Sequence, residues 1–317
     1  SRIGRGEQAI VLLNRRGHAN FIQCSKCGWI DRCPNCSISL TYHSRGSSLI
    51  CHYCGHEKKP LPKCPECGSY KMRRAGMGTQ RIEIELSNLM RGVRIARMDL
   101  DTTSGQSGHA DILERFGRHE ADILLGTQMV AKGHHYPNVT IVGIVAADSG
   151  LNFPDYTASE RTFQLLYQAS GRAGRGARKG KVIVQTYAPE HPIFRYLVNH
   201  DFDRFAEQEL SLRGELKYPP ELEFILFTIS SGSSKSAKTA SGRIRDALAG
   251  KFPGKAFVLG PAPAQIYKLR GRFRFHIIVK GRFDPALKKE LVETAREVVS
   301  GTGAVDLEWN VEPVGLY

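Results

Sequence analysis

The sequence predicts an α/β chain in three parts: a parallel sheet covered by helices, a cysteine-rich metal-binding module inserted into it, and a terminal α+β unit. Three observations carry this expectation. Short apolar strands alternate with amphipathic helices through the first two thirds of the chain, the pattern of a parallel sheet with helices on both faces. All eight cysteines fall between residues 24 and 67, in four Cys-x-x-Cys pairs. Beyond Pro219-Pro220 the order reads strand, helix, strand, strand, helix, strand, which is the split βαβ, ferredoxin-like arrangement.

Residues 8–14, QAIVLLN, form an apolar run of strand length, as expected of a strand buried on both faces. Residues 21–73 interrupt the pattern. After them come a helix over 79–90, with Ile82, Leu86 and Leu89 on one stripe, and a strand over 93–98. A helix over 108–116, strands over 121–126 and 139–147, a helix over 158–170 and a strand over 181–186 complete the series. The sheet unit is thus expected at 1–20 and 74–200, with the inserted module at 21–73. Helices over 192–199 and 202–212 lead to the double proline. The third unit, 201–317, carries strands at 224–230, 256–259, 273–280 and 305–311 and helices at 237–249 and 285–299.

Lys and Arg outnumber Asp and Glu by 45 to 31, a formal net charge of +14. Such a surplus favours polyanionic partners, because neutralising phosphates releases condensed counterions. A basic protein with no nucleic-acid role is the plain alternative. No run approaches the roughly 18 apolar residues that span a bilayer, and Ser1 to Glu7 lacks the apolar core of a secretory signal. The expectation is a soluble, cytoplasmic protein without a membrane partner.

The cysteine pairs are Cys24/Cys27, Cys33/Cys36, Cys51/Cys54 and Cys64/Cys67. An x-x spacing lets two thiolates converge on one cation, and two such knuckles complete a tetrahedral shell of four sulfurs. Four disulfides are the competing explanation, and the strict pairing argues for zinc. Two filled shells leave no position for water, so the metals are expected to be structural. Cys36 and Cys51 are separated by fourteen residues, close to the ribbon spacing of about fifteen to twenty. That favours a nested arrangement, the inner pairs together and the outer pairs closing the base. Sequential pairing stays open. His18, His43, His52 and His56 lie nearby and read as surface groups or neighbours of the metal shell.

Ligands of parallel sheets bind at strand carboxyl ends, which puts weight on the loops after Gly126, Ala147 and Ser170. Gln168-Ala-Ser-Gly-Arg-Ala-Gly-Arg175 follows a helix and carries Arg172 and Arg175 three apart. Such guanidinium groups can reach a γ-phosphate held elsewhere, with Gln168 orienting water, although a solvated Gly/Arg turn would look similar. Upstream, a strand ends in Gly126-Thr127-Gln128 and runs on to Lys132-Gly133; small residues and hydroxyls at a strand end suit close approach to a phosphate backbone. In this order the two segments resemble motifs V and VI of superfamily 2 helicases.

The resemblance becomes specific with Asn14-Arg-Arg-Gly17, the four-knuckle insertion, Gly126-Thr-Gln-Met-Val-Ala-Lys-Gly-His-His-Tyr-Pro137, Ala147-Asp148, Pro154-Asp155, Glu160-Arg161, Leu259-Gly-Pro-Ala-Pro263 and Arg270-Gly-Arg-Phe-Arg-Phe275. Across nearly the whole chain these residues look like the primosomal protein N-prime (PriA) family of replication-restart helicases. That resemblance implies a second RecA-like helicase lobe with an inserted double zinc-ribbon-like module and a ferredoxin-like C-terminal domain. It implies an ATP- and Mg-dependent 3′-to-5′ DNA helicase acting at stalled forks and D-loops. Single strands, single-strand-binding protein and other primosome proteins would be partners, and the protein would be a monomer at the nucleoid. Arg172 and Arg175 would contact ATP phosphates. Gly126, Thr127, Gln128, Lys132 and Gly133 would couple nucleotide state to single-stranded DNA, and the zinc module would lie near the duplex-splitting surface.

No Gly-x₄-Gly-Lys-[Ser/Thr] loop occurs; Gly176 to Val182 comes nearest, with its glycines too close and Val in place of the hydroxyl. No acidic box is present to hold Mg²⁺. The chain therefore reads as the C-terminal part of such an enzyme, expected to hydrolyse no ATP alone. A zinc-bearing helicase or translocase of another kind, and a non-enzymatic zinc module with a degenerate motor lobe, are the competing readings. The last of these predicts that Arg172 and Arg175 tolerate substitution.

Lys268-Leu-Arg-Gly-Arg-Phe-Arg-Phe-His276 alternates basic and aromatic residues around a turn. Alternation points Phe273 and Phe275 to one side, into the core, and leaves Arg270, Arg272 and Arg274 facing solvent. The arginines would then meet DNA or an acidic protein tail.

Overall fold

The computed structural model describes residues 2–14, 21–36, 38–43, 47–74, 79–98, 106–131, 136–174, 178–300 and 304–315. In chain order its strands are β1 (Gln8–Leu13), β2 (Ile22–Cys24), β3 (Thr41–His43), β4 (Ser48–Ile50), β5 (Glu57–Lys58), β6 (Met72–Arg74), β7 (Ile95–Met98), β8 (Ile123–Gly126), β9 (Val139–Val145), β10 (Lys181–Val184), β11 (Glu223–Ser231), β12 (Phe257–Leu269), β13 (Arg272–Gly281) and β14 (Val305–Val311). Its helices are α1 (Thr79–Leu89), α2 (Gln106–Gly117), α3 (Asp148–Leu151), α4 (Ala158–Ser170), α5 (Pro192–Asn199), α6 (Phe202–Glu215), α7 (Ser234–Lys251) and α8 (Pro285–Val299). Among the described residues no helix is long and apolar enough to cross a membrane.

The chain divides into two compact units. The first comprises Ser1–Trp29, Lys63–Phe153 and Thr157–Phe205; the second comprises Ile30–Pro62, Pro154–Tyr156 and Ala206–Tyr317. The cysteine-rich stretch 21–73 is therefore shared between them.

In the first unit, β10-β9-β1-β8-β7 form a five-stranded sheet, parallel throughout. The apolar run of β1 supplies both of its faces. Ile10 and Leu12, with Leu124, Val142 and Ile144, pack under Phe116 of α2 and Phe163 and Leu166 of α4. Leu13 and Leu125 pack on the opposite face against Ile82, with Leu86 beside them, both from α1. Helices thus cover both faces, as the alternating pattern implies. Leu89 leaves the expected stripe and is 81% exposed. It is the last residue of α1, and the packing on this face is already made by Ile82 and Leu86. Buried Gln8 donates its amide to Phe116 O (2.7 Å), which also accepts the His119 N–H at the end of α2, and to Ala121 O (2.9 Å).

In the second unit the sheet order is β12-β13-β11-β14, antiparallel at every pairing, so β11, β12, β13 and β14 stand in the split βαβ arrangement. Ile225, Phe227, Ile229, Ile277 and Val279 face Ile244 and Leu248 of α7 and Leu291 and Ala295 of α8. Two caps fix the helix starts. Asp284 accepts Leu287 N–H (2.7 Å) ahead of Pro285, and Ser233 accepts Ser236 N–H, beginning α7 three residues before its apolar periodicity does.

The other face of this sheet is also buried, through Phe224, Leu226, His276 and Ile278. Burial and neighbouring Arg274 push the His276 pKa down to about 3 and keep the ring neutral. The cover comes from the inner half of the cysteine module and the approach to β11. Tyr218 and Tyr156 stand 5.8 and 5.4 Å from Phe224, and Tyr53 stands edge-on to Tyr218. Tyr218 donates its hydroxyl proton to Cys36 O (2.8 Å), and His52 Nδ1 lies 2.6 Å from Pro263 O on β12. The strand expected at 256–259 extends to Leu269. Pro261 and Pro263 are tolerated because β12 is an edge strand whose register breaks between Leu259 and Ala262 and between Pro263 and Lys268.

Candidate functional site

The eight cysteines form two groups of four, Cys24/Cys27/Cys64/Cys67 and Cys33/Cys36/Cys51/Cys54, so the pairing is nested. Within each group all sulfurs lie within 4.8 Å of one another. Cys24–Cys67, Cys27–Cys64 and Cys33–Cys54 are each separated by 3.6 Å. A disulfide would need about 2.05 Å, whereas zinc–sulfur bonds of about 2.3 Å in a tetrahedron place sulfurs just under 4 Å apart. All eight thiols are free.

One local rule builds every knuckle. The first cysteine donates its N–H to the carbonyl five residues on: Cys24 to Trp29, Cys33 to Ile38, Cys51 to His56 and Cys64 to Ser69, at 2.8–2.9 Å. In three knuckles a glycine at positive φ (Gly28, Gly55, Gly68) returns its N–H to the first cysteine's carbonyl. Four sulfurs held this way cannot all be thiolates without a cation. In the outer cluster the Cys27 backbone N–H holds Cys24 down at about 6. Against the Trp29 backbone N–H, burial and the neighbouring Cys67 and Cys64 sulfurs push Cys27 up to about 12. In the inner cluster the Cys51 and Cys54 sulfurs and burial push Cys36 up. A divalent ion resolves that conflict, and the donor set fits zinc with no open coordination position.

Of the four nearby histidines, His18 lies outside the described residues. His52 is buried rather than superficial; its Nε2 is 3.3 Å from His43 Nε2. Neither ring joins a sulfur cluster.

The two segments that resemble helicase motifs occupy opposite edges of the five-stranded sheet. Gly126 ends β8 at the carboxyl edge and turns into the short 3-10 segment Gln128–Ala131. Only glycine fits there: a Cβ would stand 2.5 Å from Val130 Cγ1 and 2.6 Å from Met98 O. Gly126→Ala is expected to cost about 2 kcal/mol from overpacking, read as a lowered denaturant midpoint at unchanged slope; an unchanged midpoint would mean that the turn yields. Thr127 and Gln128 are half-buried beside this turn; Lys132 and Gly133 lie outside the described residues.

The loop after Ser170 is not at a strand carboxyl end. It follows α4, which runs antiparallel to the strands, and leads directly into β10, so it lies at the amino edge. Gly174 N–H accordingly bonds Val139 O, at the start of β9 (3.1 Å). Gly174, at φ +73°, packs on the backbone of Gly180, where neither residue has room for a Cβ. This fixes the turn that carries half-buried Arg172, one turn beyond exposed Gln168. Arg175 lies outside the described residues.

Sequence reasoning missed the braces of the carboxyl edge. Buried Asn14 donates to Ala147 O (2.8 Å). Asp148 accepts the Thr186 hydroxyl (2.5 Å) and Tyr187 N–H (2.9 Å), tying β9 to β10. Gly28 of the first knuckle sits against the Tyr187 side chain, and Arg73 donates to Tyr187 Oη (2.7 Å). The outer cysteine cluster is thereby seated at the carboxyl edge. The Asn14 and Ala147-Asp148 segments were visible as motifs, but pairing them needed the fold.

In the C-terminal hairpin, Phe275 is buried and Phe273 half-buried, both beside Tyr267. Arg272 is partly exposed, in line with the alternation, but it is not a freely solvated charge. Its guanidinium pairs with Asp306 (2.5 Å) and donates to Ser230 O (3.0 Å), because β11 lies between β13 and β14 and brings both within reach.

Three family models match the chain: the PriA DNA helicase Cys-rich region domain over residues 33–59, the helicase conserved C-terminal domain over 73–177, and the primosomal protein N C-terminal domain over 214–314. The cysteine-rich match and the two four-sulfur shells together make these structural zinc sites. Replication restart protein PriA of Bacillus subtilis is 41% identical over 97% of the chain and 39% of its own length. The Synechocystis protein of that name is 39% identical over 98% of the chain and 37% of its length, and that of Treponema pallidum 37% identical over 98% and 47%. The chain thus spans less than half the length of these relatives. With the three modules in this order and similarity along nearly all its residues, the chain belongs to the replication restart protein PriA family.

Proposed function

We propose that this chain supplies the second motor lobe, the zinc module and the C-terminal domain of an ATP-dependent 3′-to-5′ DNA helicase. In this reading the enzyme recognises stalled forks and D-loops and initiates primosome assembly in replication restart. The observation that carries it is the placement of the two motifs on opposite edges of one parallel sheet. β8 and β9 run parallel, so the chain from Gly126 to Val139 has to cross from the carboxyl edge to the amino edge. One segment therefore links Thr127 and Gln128, facing a DNA strand, to the edge where Arg172 and Arg175 serve a nucleotide.

The amino edge is poorly suited to phosphate except through long cationic side chains. The end of α4 presents carbonyl oxygens whose partial negative charge repels phosphate. Guanidinium groups reach beyond that field and pair bidentately with γ-phosphate oxygens, while Gln168 orients the attacking water. The main phosphate cradle and Mg²⁺ belong to another lobe, since the sequence has no phosphate-loop motif. Single-strand-binding protein and other primosome proteins are the expected partners of a monomer working at the nucleoid in the cytoplasm. Joined to an upstream phosphate-loop lobe, the chain should support DNA-stimulated ATP turnover and 3′-to-5′ unwinding, and alone it should support neither. Turnover by the isolated chain, or a joined protein indifferent to DNA, contradicts the reading.

A further inference from the structure

The outer zinc centre carries a surface that holding a metal does not require. Tyr70, three residues after Cys67, is 75% exposed, forgoing the burial from which an aromatic ring normally gains. The Lys63 chain lies over Gly68, with its Cε 3.3 Å from where a Cβ would stand, and its Nζ is 5.9 Å from the Tyr70 ring centroid. Lys26, Lys71 and Arg73 are exposed on the same centre. Glu66 is the only acidic residue in 21–29 and 63–74. The metal fixes the backbone beneath the ring, so little ordering remains to be done when a ligand stacks on it.

The centre is seated on Tyr187, three residues beyond the end of β10, through Gly28 and Arg73. It therefore shares the carboxyl edge of the sheet with Gly126, Thr127 and Gln128. An exposed flat ring among lysines is what a single strand needs: a π-face for a base and cations for its phosphates.

We propose that the outer zinc centre is a stacking platform for single-stranded nucleic acid, with Tyr70 against a base and Lys63 and Lys71 against the flanking phosphates. This rests on the DNA-motor reading for the route of the strand past Thr127 and Gln128, and adds a contact outside the motor motifs.

The test is the fluorescence anisotropy of a labelled oligothymidylate, titrated with the zinc-loaded chain across a salt series. Tyr70→Ala should weaken binding roughly five-fold or more at an unchanged salt slope, and Tyr70→Trp should restore it. Lys63→Ala and Lys71→Ala should each lower the slope by about 0.7. On an abasic strand the wild type and Tyr70→Ala should bind equally. Metal analysis checks that each variant keeps both zinc ions. Unchanged affinity of zinc-loaded Tyr70→Ala, or an equal loss on the abasic strand, overturns the platform and leaves the motor reading standing. A wild-type chain that binds the oligonucleotide at no salt concentration overturns both.

Discussion

Arg172→Ala combined with Arg175→Ala, in a protein joining this chain to a phosphate-loop lobe, lowers DNA-stimulated ATP turnover roughly 10³-fold or more. The expectation follows from where the arginine turn is built. Gly174 and Gly180 lock it at the amino edge of the sheet, on a helix terminus whose own dipole disfavours anions. The phosphate-directed charge of this lobe is therefore carried by side chains, and removing them removes charge that matters most in the transition state. Lysine should rescue poorly, because an ammonium cannot reproduce the planar fork. Affinity for single-stranded DNA, read by anisotropy, should stay within a few-fold of wild type, since the carboxyl edge is untouched. Turnover within ten-fold of wild type would instead mean that these arginines do not serve the nucleotide and that the lobe is degenerate.

Loss of the inner zinc is the second large effect. Cys51→Ser should destabilise the second unit by on the order of 5 kcal/mol, as expected when a metal whose binding is coupled to folding is lost. The ribbon it holds together shields Phe224, Leu226, His276 and Ile278 through Tyr218 on Cys36 O and His52 beside Pro263 O. Hydrogen exchange should accordingly rise in β11 and β13. Cys64→Ser, in the outer cluster, should loosen the Tyr187 contact and the end of β10 while β11 and β13 keep their protection. Identical exchange changes in the two variants would mean that the metals stabilise one common module.

Much of this architecture is legible because local chemistry and tertiary packing agree. The bounds expected for α4, α5, α8 and β14 match the structure, and two of these helices have strong start signals, His191-Pro192 and Asp284-Pro285. The four knuckles announce two metals because few other arrangements use thiols in pairs. The rest needed three dimensions. β12 looks short because its prolines interrupt the strand pattern where the edge register shifts. Phe224-Ile-Leu-Phe227 is apolar at every position, a sign that both faces of β11 are buried, yet nothing local says that a cysteine ribbon supplies the second cover. The arginine turn was expected at the carboxyl edge, and the direction of α4 puts it at the other. Tyr70 illustrates the opposite limit, since the exposure of a single aromatic ring leaves no periodic trace.

The most direct test of the two-edge arrangement is hydrogen exchange on the chain joined to its phosphate-loop lobe, with either single-stranded DNA or a non-hydrolysable ATP analogue added. DNA alone should protect residues 126–131, and the analogue alone should protect 168–174. Protection of both segments by one ligand and neither by the other, or the reverse assignment, would contradict the account.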